Sequence, residues 1–215
     1  MRPETGMLPA RKRAIRLAAA ALIALSAGAA AAADFAAEFA TGMRAHLDKK
    51  YGESRRIFDA LANGGDAQAQ FMMGTIYEQG LGVPKDLAAA ARWYRKAAEA
   101  GNASAQYNLG IFRQFGKGVA KDPVEAARLL RLAADQGHGR AQNNLSTFYF
   151  TGVGVPRDPV EAWKWLTLSA DGLKGKGRQI ALENRTAIER EMTADQVEAA
   201  RRRVAAWRQQ HGRRD

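Results

Sequence analysis

Gly74-Thr-Ile-Tyr77-Glu-Gln-Gly80-Leu-Gly82-Val83-Pro-Lys-Asp86-Leu-Ala-Ala-Ala90-Ala-Arg-Trp93-Tyr94-Arg-Lys-Ala97-Ala98-Glu-Ala-Gly101 is the stretch that decides the fold, because the chain writes it three times. Adding 36 to each number carries Gly80, Gly82, Val83, Asp86, Ala90, Trp93, Ala97, Ala98 and Gly101 onto Gly116, Gly118, Val119, Asp122, Ala126, Leu129, Ala133, Ala134 and Gly137. A second step of 36 reaches Gly152, Gly154, Val155, Asp158, Ala162, Trp165, Ser169 and Ala170. A fixed period of this size, with small and aromatic residues held in phase, is the signature of a repeat solenoid.

Each unit reads as two helices. The first, helix A, starts on a polar N-cap after a glycine: Asp66, Asn102 and the poorer cap His138. Its buried stripe is expected at Ala69, Met73, Ile76 and Tyr77, then Ala105, Leu109, Phe112 and Arg113, then Ala141, Leu145, Phe148 and Tyr149. Gly74 and Gly110 each cost about 1 kcal/mol against alanine inside a helix, so a neighbouring helix must approach closely there. Ser146 keeps the third such position small. The loop Gly80-Leu-Gly82-Val83 and its two counterparts supply two residues free to take positive φ and one valine to bury. Helix B then opens with Asp122-Pro123-Val-Glu125 and Asp158-Pro159-Val-Glu161, an aspartate cap, a proline at N1 and a glutamate at N3. Its buried stripe reads Ala90, Trp93, Tyr94, Ala97, Ala98; then Ala126, Leu129, Leu130, Ala133, Ala134; then Ala162, Trp165, Leu166, Ser169, Ala170. Tiny and large residues alternate along it, which lets adjacent helices interlock.

Taken together, the units resemble Sel1-like repeats of the secreted bacterial type, a solenoid family related to tetratricopeptide repeats. Ala69, Gly74, Tyr77, Gly80, Gly82, Val83, Asp86, Ala90, Trp93, Ala97, Ala98 and Gly101 carry the resemblance, with their counterparts in the later units. A tetratricopeptide unit repeats at roughly 34 residues and lacks the double-glycine loop. Arg113 departs from the family's aromatic residue, Ser146 from its glycine, and Gly172 arrives one position early. The expected fold class is all-α, an α/α solenoid of helix-loop-helix repeats over residues 66–101, 102–137 and 138–172.

Outside the repeats, residues 34–65 read as an N-terminal capping pair, Phe35–Leu47 and Ser54–Asn63, joined at Tyr51-Gly52-Glu53 and ending on Gly64-Gly65. Past the linker Leu173–Gly177, a C-terminal capping hairpin is expected over residues 173–210. Its first helix, Arg178–Met192, would align Ile180, Asn184 and Ile188. Its second, Asp195–Gln210, would align Val197, Ala200, Val204 and Trp207, after a Thr193-Ala-Asp-Gln196 capping box. Residues 211–215 read as a disordered tail.

The leader places Arg11-Lys-Arg13 and Arg16 before the apolar run Leu17–Ser26, with small residues up to Ala31-Ala32-Ala33. That order is the layout of a secretory signal peptide, residues 1–33, cleaved after Ala33. An inner-membrane anchor is the alternative, but the apolar run is short and alanine-rich for a span that needs about 20 strongly apolar residues. Met7 is a second possible start, since residues 1–9 add little to the leader. The expected location is periplasmic or secreted.

Lys plus Arg number 33 against 22 Asp plus Glu, a net charge of +11. Much of that excess sits in the leader and past Leu173, so the repeats themselves are close to neutral and no nucleic-acid partner is indicated. There are no cysteines, which excludes disulfides, thiolate metal sites and cysteine nucleophiles. His46, His138 and His211 do not share a face at metal-ligand spacing and read as surface or capping residues, and no cofactor or metal is expected. The glycine pairs recur as turns and none precedes Lys-Ser or Lys-Thr, so they are not phosphate loops. Arg201-Arg202-Arg203 is read as a solvated face, as charge runs usually are.

What remains is the face of helix A opposite its buried stripe, which a solenoid presents as a groove: Phe71, Thr75 and Glu78; Tyr107, Ile111 and Gln114; Asn143, Thr147 and Phe150. Four large apolar residues in that row suit a peptide or protein partner, while inter-repeat packing would use the same four. The expected function is therefore a non-enzymatic interaction adaptor, and the resemblance implies a role in envelope assemblies. The resemblance also brings an enzymatic alternative, a secreted hydrolase, because β-lactamase or penicillin-binding activity has been proposed for cysteine-rich secreted relatives. This chain has no cysteine and no Ser-x-x-Lys. A third reading is binding of an anionic surface through the basic C-terminal hairpin, which salt would weaken.

Overall fold

The computed structural model describes residues 34–212; the leader, with the export and anchor readings that rest on it, and residues 213–215 lie outside them. The described residues divide into two compact units, residues 34–57 and 58–212, with the division falling inside one helix. In the first unit, helix α1 spans residues 34–47 and α2, Tyr51–Asn63, begins. The turn between them lies at residues 48–50, earlier than expected, and Lys49 takes the positive φ of 59° that closes it. Tyr51 is already helical and its ring meets His46 edge-on, with centroids 5.6 Å apart.

The second unit begins with the end of α2 and continues through α3 (Ala67–Gln79), α4 (Leu87–Glu99), α5 (Ala103–Phe115), α6 (Pro123–Asp135), α7 (Gly139–Thr151), α8 (Pro159–Gly172), α9 (Gly175–Glu189) and α10 (Ala194–Gln210). Among the described residues there is no strand. Pairs α3–α4, α5–α6 and α7–α8 each pack as helix A on helix B, and every B helix also packs on the next A helix. The fold is an all-α repeat solenoid.

Capping follows the sequence closely. The amides of Ala69 and Ala105 donate to Asp66 Oδ1 and Asn102 Oδ1 at 2.6 and 2.9 Å. In the third unit the amide of Ala141 donates to His138 Nδ1 at 3.2 Å. The B helices are capped by Asp86, Asp122 and Asp158. Gly80, Gly116 and Gly152 end the A helices at φ 74°, 71° and 73°, which a side chain would resist. The second loop glycine does more than turn. A Cβ on Gly118 would strike the backbone of Leu87 and Ala88, and one on Gly154 the backbone of Pro123, so each loop lies on the first turn of the preceding B helix. Val83, Val119 and Val155 are only half-buried instead of buried, because that backbone contact already seats the loop.

Two corrections concern helix B. In α4 it is Tyr94 that is fully buried, while Trp93 lies half-exposed at the edge with Lys96 Nζ 4.4 Å from its ring centre. Nor do the N3 glutamates turn back to their caps. Glu125 accepts from Arg128 Nε and Nη2 at 2.7 and 2.9 Å. Glu161 gathers Lys164 Nζ at 2.9 Å, Arg203 at 3.0 Å, Arg131 at 3.5 Å and the indole N–H of Trp165 at 3.0 Å. Burial pushes the Lys164 ammonium pKa down, against the opposing pull of Glu161.

A polar ladder runs through the interior. Gln70, Gln106 and Gln142, spaced 36 apart, are buried, and each Nε2 donates to a carbonyl at the end of the preceding B helix: Ala62 at 3.2 Å, Ala98 at 3.2 Å and Ala134 at 3.0 Å. Each of these helix-end carbonyls also accepts the amide of the glycine three residues on, Gly65, Gly101 or Gly137, and the glutamine adds a second bond that stitches one repeat to the next.

Helices α9 and α10 both lie against α8. Helix α9 starts at Gly175, three residues before the expected Arg178, and stops at Glu189. Ile188 is buried as expected, whereas Ile180 and Asn184 are exposed and Ala181 takes the buried place in the first half of the helix. In α10 the Thr193 capping box forms as expected, and Ala200, Val204 and Trp207 are buried, with Trp207 edge-on to Trp165. The arginine run is not wholly solvated. Arg203 bonds Asp158 and Glu161 at 3.0 Å each, and Arg208 bonds Asp171 at 2.8 Å, tying α10 to both ends of α8.

Candidate partner-binding face

The nine residues expected on the open face of helix A separate into groups. Phe71, Thr75, Glu78 and Tyr107 come together in a hollow of about 410 Å³. Thr147 and Phe150 line a second of about 260 Å³, whose far wall is Asn184, Ala187 and Ile188 of α9 with Glu191 just past its end. Ile111, Gln114 and Asn143 line neither, and Ile111 packs with Tyr107 and Phe150 against the core of the second and third repeats. The strip is thus part packing and part open surface: its four apolar residues are all half-buried.

The 410 Å³ hollow has a defined interior. Tyr94 reaches through from α4, and its hydroxyl donates to Glu78 Oε2 at 2.5 Å while lying 3.4 Å from Thr75 Oγ1. Burial, and then that bond to Glu78, raise the phenol pKa well above its ordinary value, so the group stays a neutral donor. Phe71 leans on the Tyr94 ring at 5.8 Å, and Tyr94 meets Phe112 edge-on at 5.5 Å. These contacts fix the floor.

Across the hollow, Tyr107 stacks on the His138 ring at 4.9 Å and 26°. His138 is held neutral by its burial, then by the charge of Arg140, both of which lower its pKa. Ser104, Asn108, His138 and Arg140 also line this hollow, none of them among the residues expected on the open face. Asn108 and Ser104 carried no signal, being polar residues on a helix whose opposite face was the informative one. His138 had been assigned as a helix cap, and it serves as cap and wall together.

Chemically the hollow offers three aromatic rings, an imidazole, one carboxylate and one guanidinium around an open mouth. Among the described residues no group of three histidine, aspartate or glutamate side chains is arranged to hold a metal ion, and no helix is long and apolar enough to cross a membrane.

The Sel1 repeat family matches residues 67–102, 103–138 and 139–172. Among solved structures, the Sel1 repeat protein from Oxalobacter formigenes is similar at 34% identity with a TM-score of 0.61, over 64% of this chain and 56% of that one. The chain therefore spans little more than half of that relative's length. A protective antigen present in uropathogenic Escherichia coli strains and displaying an SLR fold is similar at 28% identity with a TM-score of 0.45, over 73% of this chain and 48% of that one. No curated protein matches. The 36-residue period, the paired loop glycines and the family match agree: this chain is a Sel1-repeat protein, with its three repeats running from residue 67 to residue 172.

Proposed function

We propose that the chain is a non-enzymatic interaction adaptor of the bacterial envelope, which holds a peptide segment of a protein partner against the helix-A face of its first two repeats. The observation that carries this reading is the hollow in which Phe71 and Tyr107 keep ring surface open between Glu78 and Arg140. Rings give a peptide apolar area at low entropic cost, and opposed charges at the rim set its direction. Sel1 repeats commonly serve as protein-interaction scaffolds. The basic, apolar and small-residue order of residues 1–33 supports export, with a mature chain from Asp34.

The test is recovery of the full chain from its own cells after cross-linking, beside a variant with Phe71 and Tyr107 changed to alanine that melts like the parent. A protein bound by the parent and lost from the variant supports the helix-A face. Equal capture by both overturns it. N-terminal sequencing of the recovered chain checks export: a first residue of Asp34 supports cleavage, and an intact leader supports an anchor.

A further inference from the structure

A second hollow lies elsewhere, between the B helices α4 and α6 with α5 as its floor, and measures about 410 Å³. What fits it is shown one repeat later. In the corresponding groove between α6 and α8 the space is filled by Trp165, which is 0% exposed. Its indole N–H donates to Glu161 Oε2 at 3.0 Å, Lys164 Nζ lies 4.1 Å from the ring centre, and the Arg131 guanidinium lies 5.0 Å from it. Arg131 also donates to the hydroxyl of Tyr149.

Moving back by 36 residues, the charged frame is kept: Arg95 stands for Arg131, Glu125 for Glu161 and Arg128 for Lys164. The two rings are not. Leu129 replaces Trp165 and Arg113 replaces Tyr149. Arg113 lines the cavity without filling it: its Nη1 donates to the Ala120 carbonyl at 3.3 Å, and its buried Nε has no partner. The groove stays open, and Leu132 at its edge is 39% exposed.

We propose that this cavity receives an indole ring, the side chain of a tryptophan presented by a partner polypeptide. Glu125 is the acceptor for the indole N–H. Its hydrogen bond to Arg128 holds its carboxyl below the usual range, and a carboxylate has room for a further donor, as Glu161 shows by accepting Trp165 and Lys164 on one oxygen. Arg95 and Arg128 supply the cationic faces against which an indole packs best. The ring in the filled groove is carried on a polypeptide, and the mouth beside Leu132 lets a chain crossing the surface insert one side chain. The site is separate from the helix-A hollow and does not rest on the reading given above.

The full chain, labelled with nitrogen-15, would be titrated with acetyl-Ala-Trp-Ala-amide and with acetyl-Ala-Leu-Ala-amide. The tryptophan peptide is expected to shift the amide signals of Gln106, Leu129 and Leu132, and the leucine peptide to leave them in place. Leu129→Trp should fill the cavity from within, raising the melting temperature and weakening the peptide by about tenfold or more. Arg95→Ala, at the exposed rim, should weaken it by about two- to fivefold without moving the melting temperature. That variant decides the matter if Leu129→Trp does not fold. The proposal fails if the tryptophan peptide causes no shifts at millimolar concentration, or if Arg95→Ala binds it as the parent does. It also fails if indole-3-acetate binds more tightly than the peptide, which would make the ligand a small aromatic acid.

Discussion

Tyr94 rests directly against Gly74: a Cβ at residue 74 would overlap Cδ1 and Cε1 of the Tyr94 ring. That contact sets the Tyr94 ring across helix A, with its hydroxyl on Glu78 at the floor of the helix-A hollow. The second repeat relaxes it, since a Cβ on Gly110 would stand 3.1 Å from Leu130 Cγ. Gly74→Ala should therefore destabilise by about 1–3 kcal/mol through overpacking, even though alanine gains about 1 kcal/mol of helix propensity. Gly110→Ala should come out near neutral, because the tip of a leucine gives way more easily than a ring. Thermal melts of the two variants check the order.

The two tryptophans at one register of helix B should respond differently. Trp165 is fully enclosed and its N–H is bonded to Glu161, so Trp165→Ala is expected to cost about 3–5 kcal/mol. Trp93 is half-exposed under Lys96, and its truncation should cost about 1 kcal/mol. Denaturant midpoints at constant slope would show this. Equal losses would mean that α4 sits rotated from the arrangement described.

Much of the fold was legible because the period did the work. Gly80, Gly82 and Asp86 recur with an unmistakable local role, and a turn or a cap is decided within a few residues of itself. What a residue does across repeats was not legible. Gln70, Gln106 and Gln142 repeat as faithfully as the glycines, yet a glutamine on a helix reads as solvent-facing until the carbonyl it serves is known. Tyr94 and Trp93 are adjacent large residues, and only the facing Gly74 says which one turns inward. For the candidate face, Phe71 and Tyr107 do meet across one hollow. Phe150 lines a different hollow, walled by α9, whose seam lies outside the repeat and offers no second copy against which to check its phase.

His138 makes the third repeat sensitive to pH. Its Nδ1 accepts the Ala141 amide only when unprotonated, and its folded pKa lies below the ordinary histidine value, first because of burial and then because of Arg140. Tyr107 from α5 faces the same ring without adding charge. A depressed folded pKa means that the unfolded chain takes up the proton first. The stabilisation is therefore complete above the unfolded value of about 6.5 and is lost as pH falls below it. His138→Asn supplies the cap that Asn102 provides one repeat earlier. Melting temperature in that variant should depend less on pH between neutrality and mild acid than in the parent, and a slope equal to the parent's would remove His138 as the cause.

The glutamine ladder gives the last prediction. Gln142 is fully buried, and its amide is a partner of the Ala134 carbonyl at the end of α6. Gln142→Leu keeps the bulk but removes one hydrogen bond from that carbonyl, to which the Gly137 amide still donates at 2.9 Å, and should cost about 0.5–1.5 kcal/mol. Gln142→Glu should cost more near neutral pH, because a carboxylate can donate nothing to the carbonyl and would be buried with its charge. Protonating it on acidification restores a donor, so the gap between that variant and the parent should narrow as pH falls. Gln70→Leu, whose side chain is less enclosed and whose carbonyl partner is Ala62, should lose less than Gln142→Leu. Melting the three variants across a pH series separates loss of the hydrogen bond from loss of packing: if Gln142→Leu melts with the parent, the ladder contributes space-filling and no stabilising bond.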